Sequence, residues 1–155
     1  MAGNAATQIA ELANEDHIAE HVVVVKWIEG LDFMGLDSSG HSIVMSASSP
    51  PKGSMPSELL LQSLAGCISA DLVHILTKQR QDLRDLEIYI SKVQDPQPPW
   101  TFRHIHLDFV FRGKGLKREH IERAIDLAEN KYCSVGSTIK GIAEITHHYR
   151  IIEVD

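Results

Sequence analysis

The chain has 155 residues, a length that suits one domain with one hydrophobic core. Hydrophobic residues make up 43% of it and charged residues 23%, and its net charge of -6 argues against nucleic acid as the main partner. No apolar run stands out as long enough to span a bilayer, so no membrane partner is expected either.

The first segment, residues 1–20, contains neither Lys nor Arg and has no apolar stretch of the kind found in signal peptides. We expect it to form a polar N-terminal arm, followed by a single domain over residues 21–155. Two cysteines are too few for a disulfide framework in a chain of this size. A reducing, cytoplasmic location is therefore expected, with the cysteines either as two free thiols or as a redox pair.

The first third of the chain predicts a β-meander. Val22 to Ile28 is rich in β-branched residues and predicts a strand, and two turns separate it from shorter strands at Phe33 to Leu36 and Ser42 to Ser46. The stretch from Ser48 to Ser54 contains two prolines and several serines, which is typical of a loop.

A long helix is predicted to begin at Pro56, because the N–H that proline lacks would have no partner in the first turn of a helix. Leu59 to Cys67 contains few polar residues, so the helix is expected to be central and buried. The sequence becomes charged after Lys78, and the helix should end near Arg80.

The second half predicts two strands, a helix, a short helical turn and a last strand. Their predicted bounds are Leu86 to Val93, Thr101 to Phe111, Lys117 to Lys131, Ser134 to Lys140 and Ile142 to Val154. Thr101 to Phe111 alternates well, with Ile105, Leu107, Phe109 and Phe111 on one side. The helix carries Ile121, Ala124, Ile125 and Ala128 at helical spacing and should lie on the sheet, which completes an α+β domain.

Two segments with a cysteine carry a family resemblance. Pro56 to Cys67 combines a proline, an acidic residue, a leucine-rich turn and small residues before the cysteine. Tyr132 to Val135 places Cys133 after a helix and ahead of a last strand, and the two cysteines are 133 − 67 = 66 residues apart. In these motifs the chain resembles the OsmC/Ohr hydroperoxide-reductase superfamily over nearly its whole length, and most of all its less studied OsmC-like branch.

The resemblance implies an OsmC-like fold: an N-terminal β-meander, a long central helix, an antiparallel sheet with the second helix, and an intertwined homodimer with active sites at its interface. It also implies peroxiredoxin-like chemistry in stress response and detoxification. Cys67 would attack an organic hydroperoxide as a thiolate and become a sulfenic acid, Cys133 would resolve it as a disulfide, and a dithiol reductant would reopen that bond. No cofactor or metal is implied.

The chain departs from the family pattern in the groups that support the thiolate. Well-studied members use an arginine from the segment before the central helix and a glutamate ten residues before the cysteine, but this chain has Ser57 there and no arginine before Arg80. Glu58 lies nine residues before Cys67, roughly 180° around a helix from it. Lys52 is the one cation in the loop before the helix, and it is a point charge rather than a fork.

The surroundings predicted for the two thiols differ. Cys133 precedes a possible helix N-terminus, which would lower its pKa, whereas Cys67 in mid-helix has no such help. Asp71, one turn after Cys67, would disfavour a thiolate. His74 lies on the same face, so Asp71 and His74 either form a polar stripe with Cys67 or satisfy each other.

Other functions remain open at this stage. The missing arginine and glutamate favour, as the main alternative, a catalytically weakened protein that binds a small apolar or thiol-reactive ligand at the dimer interface. A thiol-transfer or persulfide-handling protein is a third possibility. His104 and His106 share a strand face, and His147 and His148 are adjacent on the last strand. A metal site would need a third ligand from another strand, and we expect none. The sequence does not identify the physiological substrate or the reductant.

Overall fold

The computed structural model describes residues 23–155. These residues form two compact units, residues 23–59 and Leu60–Asp155. The predicted N-terminal arm, residues 1–20, and the first residue of the first predicted strand, Val22, lie outside the described residues. The single domain expected over residues 21–155 stays a prediction.

The first unit contains the predicted meander. Strands β1 (Val23–Glu29), β2 (Asp32–Asp37) and β3 (Ser42–Ser46) form one antiparallel sheet in that order. The turn between β1 and β2 uses Gly30 with a φ of 51°, a value that costs glycine little. Within this unit every residue of β1 is exposed.

Helix α1 (Pro56–Lys78) begins at the predicted proline and ends two residues before Arg80. Arg80 has a φ of 55°, and the backbone N–H groups of Arg80 and Gln81 donate to the carbonyls of Thr77 and Leu76. This pair of hydrogen bonds is a Schellman motif, which satisfies two carbonyls at the helix end.

Only one face of α1 is buried in the described chain, although the sequence predicts an apolar helix buried on nearly all sides. The buried side chains are Leu61, Leu64, Ile68, Leu72 and Leu76, whereas Leu60 and Val73 are 44% and 46% exposed. By length and composition alone, α1 is long and apolar enough to cross a membrane. This finding corrects the expectation that the chain has no apolar segment of that length. The core helix of a soluble protein passes the same test.

The second sheet has the order β4 (Asp82–Gln94), β5 (Phe102–Lys114) and β6 (Glu144–Glu153). Strands β4 and β5 are antiparallel, but β5 and β6 are parallel, so the prediction of an antiparallel sheet was wrong for the last strand. The segment between β5 and β6 is long and helical. Such a crossover returns the chain to the end of the sheet where β5 begins, so that β6 runs in the same direction as β5.

Three helical segments form this crossover: α2 (Arg118–Leu127), a π-helical turn (Ala128–Tyr132) and α3 (Ser134–Ile139). The predicted apolar faces of α2 and β5 are confirmed as parts of one core with α1. Its fully buried members from β5 and α2 are Ile105, Leu107, Phe109, Phe111, Ile121, Ala124 and Ile125. This core includes residues of α1 and of the crossover. Cys67 lies on α1 and Cys133 lies in the crossover, so the core helps to position both cysteines.

The buried face of α1 yields a stability prediction. Leu72→Ala should lower the free energy of unfolding by about 2–5 kcal/mol, because the Leu72 side chain is fully buried and its removal leaves a cavity. Val73→Ala removes apolar atoms from a side chain that is 46% exposed and should cost less. Urea denaturation of both variants checks this, and equal losses would contradict the packing described.

Candidate thiol site

Cys133 occupies the junction between the π-helical turn and α3. Its backbone N–H donates to the carbonyl of Ala128 at 3.0 Å, which closes the wide turn, and its own conformation is extended. The Cys133 Sγ atom then accepts a hydrogen bond from the backbone N–H of Gly136 at 3.2 Å. Cys133 is therefore the N-cap of α3, and its side chain is almost fully buried at 3% exposure.

Cys67 lies in the middle of α1, half-buried against the same core. Its sulfur lies near the Cys133 thiol and the first turn of α3, where the backbone N–H groups of Ser134 and Val135 and the Ser134 hydroxyl act on its pKa. Both cysteines are free thiols. The two residues that the sequence singles out are thus brought together.

These contacts give the two thiols opposite acidities. Burial raises the pKa of Cys67, but the donors from Cys133, Val135 and Ser134 together outweigh it and hold that pKa below the usual range of a cysteine. Burial and the hydrogen bond to Cys67 raise the pKa of Cys133 to about 11. Near neutral pH, Cys67 is the thiol that ionises more readily and Cys133 is a neutral donor.

This result reverses the sequence-based expectation for the two pKa values. We expected the start of α3 to lower the pKa of Cys133, and the N–H groups of Gly136 and Val135 do act in that direction, but burial and the neighbouring Cys67 thiol outweigh them. Cys67 has no helix end of its own, and groups of Ser134 and Val135 in the crossover lower its pKa. Sequence reasoning missed Ser134 and Val135; the signal available was the short helical turn predicted directly after Cys133.

Lys52 and Glu58, proposed as supporting residues, have different surroundings. Lys52 Nζ lies 2.7 Å from Glu29 Oε1 and 3.0 Å from Asp32 Oδ2, so two carboxylates of its own unit balance its charge. Hydrogen bonds, first from Ser46 and then from Lys52, lower the pKa of the buried Asp32 carboxyl. The exposed Glu58 has no side-chain hydrogen bond within residues 23–155 and lies in the first turn of α1, where it favours the positive helix end.

Asp71 and His74 do not pair with each other among the described contacts. Both line a cavity of about 650 Å³ between α1 and α2, and neither cysteine is among its lining residues. The polar stripe that would join them to Cys67 is therefore not present as a set of side-chain contacts in the described part of the chain. An effect of the Asp71 charge on the thiol stays a prediction.

Glu129, which the sequence did not single out, and His147 of β6 fix the π-helical turn ahead of Cys133. The half-buried Glu129 carboxylate lies 3.0 Å from His147 Nδ1 of β6, and burial raises its pKa. Lys140 Nζ donates to the Glu129 carbonyl at 2.8 Å and to Asn130 Oδ1 at 2.6 Å. These contacts tie the turn to the sheet and to the end of α3, and so hold Cys133 in position.

Comparison with known proteins places this geometry in a family. The model of the OsmC-like protein family matches residues 49–148. Protein YhfA of Escherichia coli is 41% identical over 128 residues, which is 83% of this chain and 96% of the relative.

Two solved structures share the fold. A hypothetical protein from Aquifex aeolicus is 26% identical, with a TM-score of 0.78 over 86% of this chain and 96% of its own. The organic hydroperoxide resistance protein OhrB of Bacillus subtilis is 19% identical, with a TM-score of 0.57 over 83% of this chain and 96% of its own. At 19% identity the second likeness shows the fold alone.

The donors on Cys67 predict which thiol reacts first with an alkylating agent. Iodoacetamide should modify Cys67 before Cys133 at neutral pH, because only thiolates react well and burial keeps Cys133 protonated. Ser134→Ala should raise the pKa of Cys67 by removing the hydroxyl donor, while Ser137→Ala, an exposed residue of the same helix, should leave it unchanged. Mass spectrometry of the two cysteine peptides across pH checks both statements, and faster modification of Cys133 would contradict them.

Proposed function

The chain belongs to the OsmC-like protein family, and from this premise we propose that it reduces organic hydroperoxides with Cys67 as the attacking thiol and Cys133 as the resolving thiol. The observation that carries the proposal is the proximity of two free thiols, one on α1 and one at the start of α3, whose pKa values move in opposite directions. One sulfur is prepared to be a nucleophile, and the other remains protonated beside it.

The proposed reaction has three steps. The Cys67 thiolate attacks the O–O bond of a hydroperoxide ROOH, so that sulfur gains an oxygen as a sulfenic acid and the alkoxide RO⁻ leaves and is protonated to ROH. The Cys133 sulfur then attacks the Cys67 sulfur, which releases water and forms a disulfide. An external dithiol reduces this disulfide by thiol–disulfide exchange and is itself oxidised.

The first turn of α3 supplies the thiolate support that the missing arginine would give. Ser134 and Val135 offer N–H donors to Cys67, and a hydrogen bond to the charged form of a group favours that form. The Cys133 S–H donor also places the second sulfur next to the first, which shortens the lifetime of a sulfenic acid and limits its overoxidation. The exposed Leu60 adds an apolar surface on α1, in keeping with an organic substrate.

Two cysteine variants test the assignment of roles. With cumene hydroperoxide and dithiothreitol, Cys67→Ser should lower peroxide consumption by about 100-fold or more, since no other described thiol has a lowered pKa. Without dithiothreitol, Cys133→Ser should still consume about one equivalent of peroxide and leave a sulfenic acid on Cys67 that dimedone traps. Ser63→Ala, an exposed change on the same helix, serves as the control.

The pH dependence provides a second check on the nucleophile. Peroxide consumption should rise with pH as Cys67 ionises, and its inflection should lie below the pKa of an ordinary cysteine. If the wild-type protein consumes no peroxide and dimedone traps nothing, the alternative gains support: a weakened family member that binds a small apolar or thiol-reactive ligand.

We also propose that the working form is a homodimer that covers the exposed apolar residues of the first sheet. On β1 alone Val23, Val25 and Trp27 are 59%, 56% and 70% exposed. A continuous apolar surface of this kind marks an interaction site, and obligate interfaces bury on the order of 2,000 Å² or more. Sedimentation velocity at micromolar concentration should show a dimer that Trp27→Arg weakens and Lys26→Gln does not, whereas a stable folded monomer of the wild-type chain would contradict this.

A further inference from the structure

The cavity between α1 and α2 lies apart from the two cysteines and has the size of a small-molecule site. Its volume is about 650 Å³, and typical ligand pockets measure roughly 300–1,000 Å³. One wall comes from the last two turns of α1 and the other from α2, so that two rigid helices shape it. None of the thiol chemistry described above uses this cavity.

The charged and titratable side chains that line it form a mainly cationic cluster. Helix α1 contributes Asp71, His74 and Lys78, and α2 contributes His120 and Arg123. Two fixed positive charges therefore face one carboxylate, and two imidazoles add further hydrogen-bonding groups. This balance is the opposite of that of the whole chain, whose net charge is -6.

Within residues 23–155, none of these five side chains has a hydrogen bond or an ion pair. Other arginines of the same unit are engaged: Arg84 with Asp82 at 2.8 Å and Arg103 with Asp95 at 2.7 Å. On α2 itself, Arg118 donates to the Tyr149 hydroxyl at 3.0 Å. The cations of the cavity are thus available to a ligand in the described part of the chain.

The rest of the lining is apolar, with one unmatched polar atom. Ile75, Leu127 and Tyr132 provide aliphatic and aromatic surface. Gln79 also lines the cavity, and its buried side-chain Oε1 has no hydrogen-bond partner. An amide oxygen only accepts hydrogen bonds, so this atom suits a donor group on the body of a ligand and does not hold an anionic head.

We propose that this cavity binds a small organic anion with an apolar body. Its carboxylate, sulfonate or phosphate head would lie between Lys78 and Arg123, since guanidinium and ammonium groups bind such oxygens strongly. Its apolar part would pack on Ile75 and Leu127. The site goes beyond the proposed peroxide chemistry and does not depend on it, so either proposal can fail while the other stands.

The test uses 8-anilinonaphthalene-1-sulfonate, a fluorescent organic anion with an apolar body, on the full chain. Fluorescence titration and equilibrium dialysis should resolve one site per chain that depends on the cavity, and the double variant Lys78→Gln, Arg123→Gln should raise the Kd of that site by about 10-fold or more. Arg118→Gln makes the same charge change on α2 outside the cavity and should leave Kd unchanged. Arg123→Lys should retain most of the affinity.

The NMR signals of the two histidines of the cavity provide a local measurement of binding. Their imidazole proton resonances, assigned with His74→Gln and His120→Gln, should shift when the probe is added and should not shift in the double variant. This measurement distinguishes binding of the dye in the cavity from binding to the exposed apolar residues of the first sheet.

Three results would overturn the proposal. The first is a Kd that the double variant does not change. The second is equally tight binding of the uncharged analogue N-phenyl-1-naphthylamine, which would mean that charge has no role. The third is a change in dimer dissociation by Arg123→Gln, measured by sedimentation, without any change in probe binding, since the cavity would then be part of an interface between copies.

Discussion

The candidate site depends on the proximity of the Cys67 sulfur to the polar groups at the start of α3. Burial on an apolar helix keeps a thiol protonated, and by itself it would make Cys67 an inert core residue. The donors of Ser134, Val135 and Cys133 change this, and all of them come from one short stretch of the crossover. Every feature that fixes this stretch, including the Cys133 cap on Gly136 and the core beneath α2, therefore also sets the acidity of Cys67.

The sequence predicted the fold correctly wherever a periodic pattern of apolar residues determines the buried face of a strand or helix. Ile105, Leu107, Phe109 and Phe111 alternate, and Ile121, Ala124 and Ile125 recur at helical spacing, so both buried faces follow from local patterns. The direction of β6 could not be predicted in this way. It depends on where the crossover returns the chain, and its alternation is the same in a parallel or an antiparallel pair.

The sequence predicted which residues form the site, but it did not predict the relative pKa values of the two thiols. The motifs around Cys67 and Cys133 pointed to both cysteines, and the structure brings them together. Which thiol has the lower pKa depends on the balance between burial and nearby donors at each sulfur, and no spacing in the sequence encodes that balance. Similarly, Asp71 and His74 share a helix face. In the structure both side chains line the cavity between α1 and α2, and they do not pair with each other in the described part of the chain.

The π-helical turn at Ala128–Tyr132 has a consequence for how this segment can vary among related sequences. A π-turn holds one residue more than an α-turn, and the hydrogen bond from Cys133 to Ala128 closes it. Asn130, Lys131 and Tyr132 are exposed, and of these Lys131 has no side-chain hydrogen bond within residues 23–155, so its identity is free to vary. The number of residues in the turn is not, since losing one residue would turn Cys133 by about 100° around the axis, away from Cys67. Selection in this segment should therefore act against insertions and deletions far more than against substitution of Lys131.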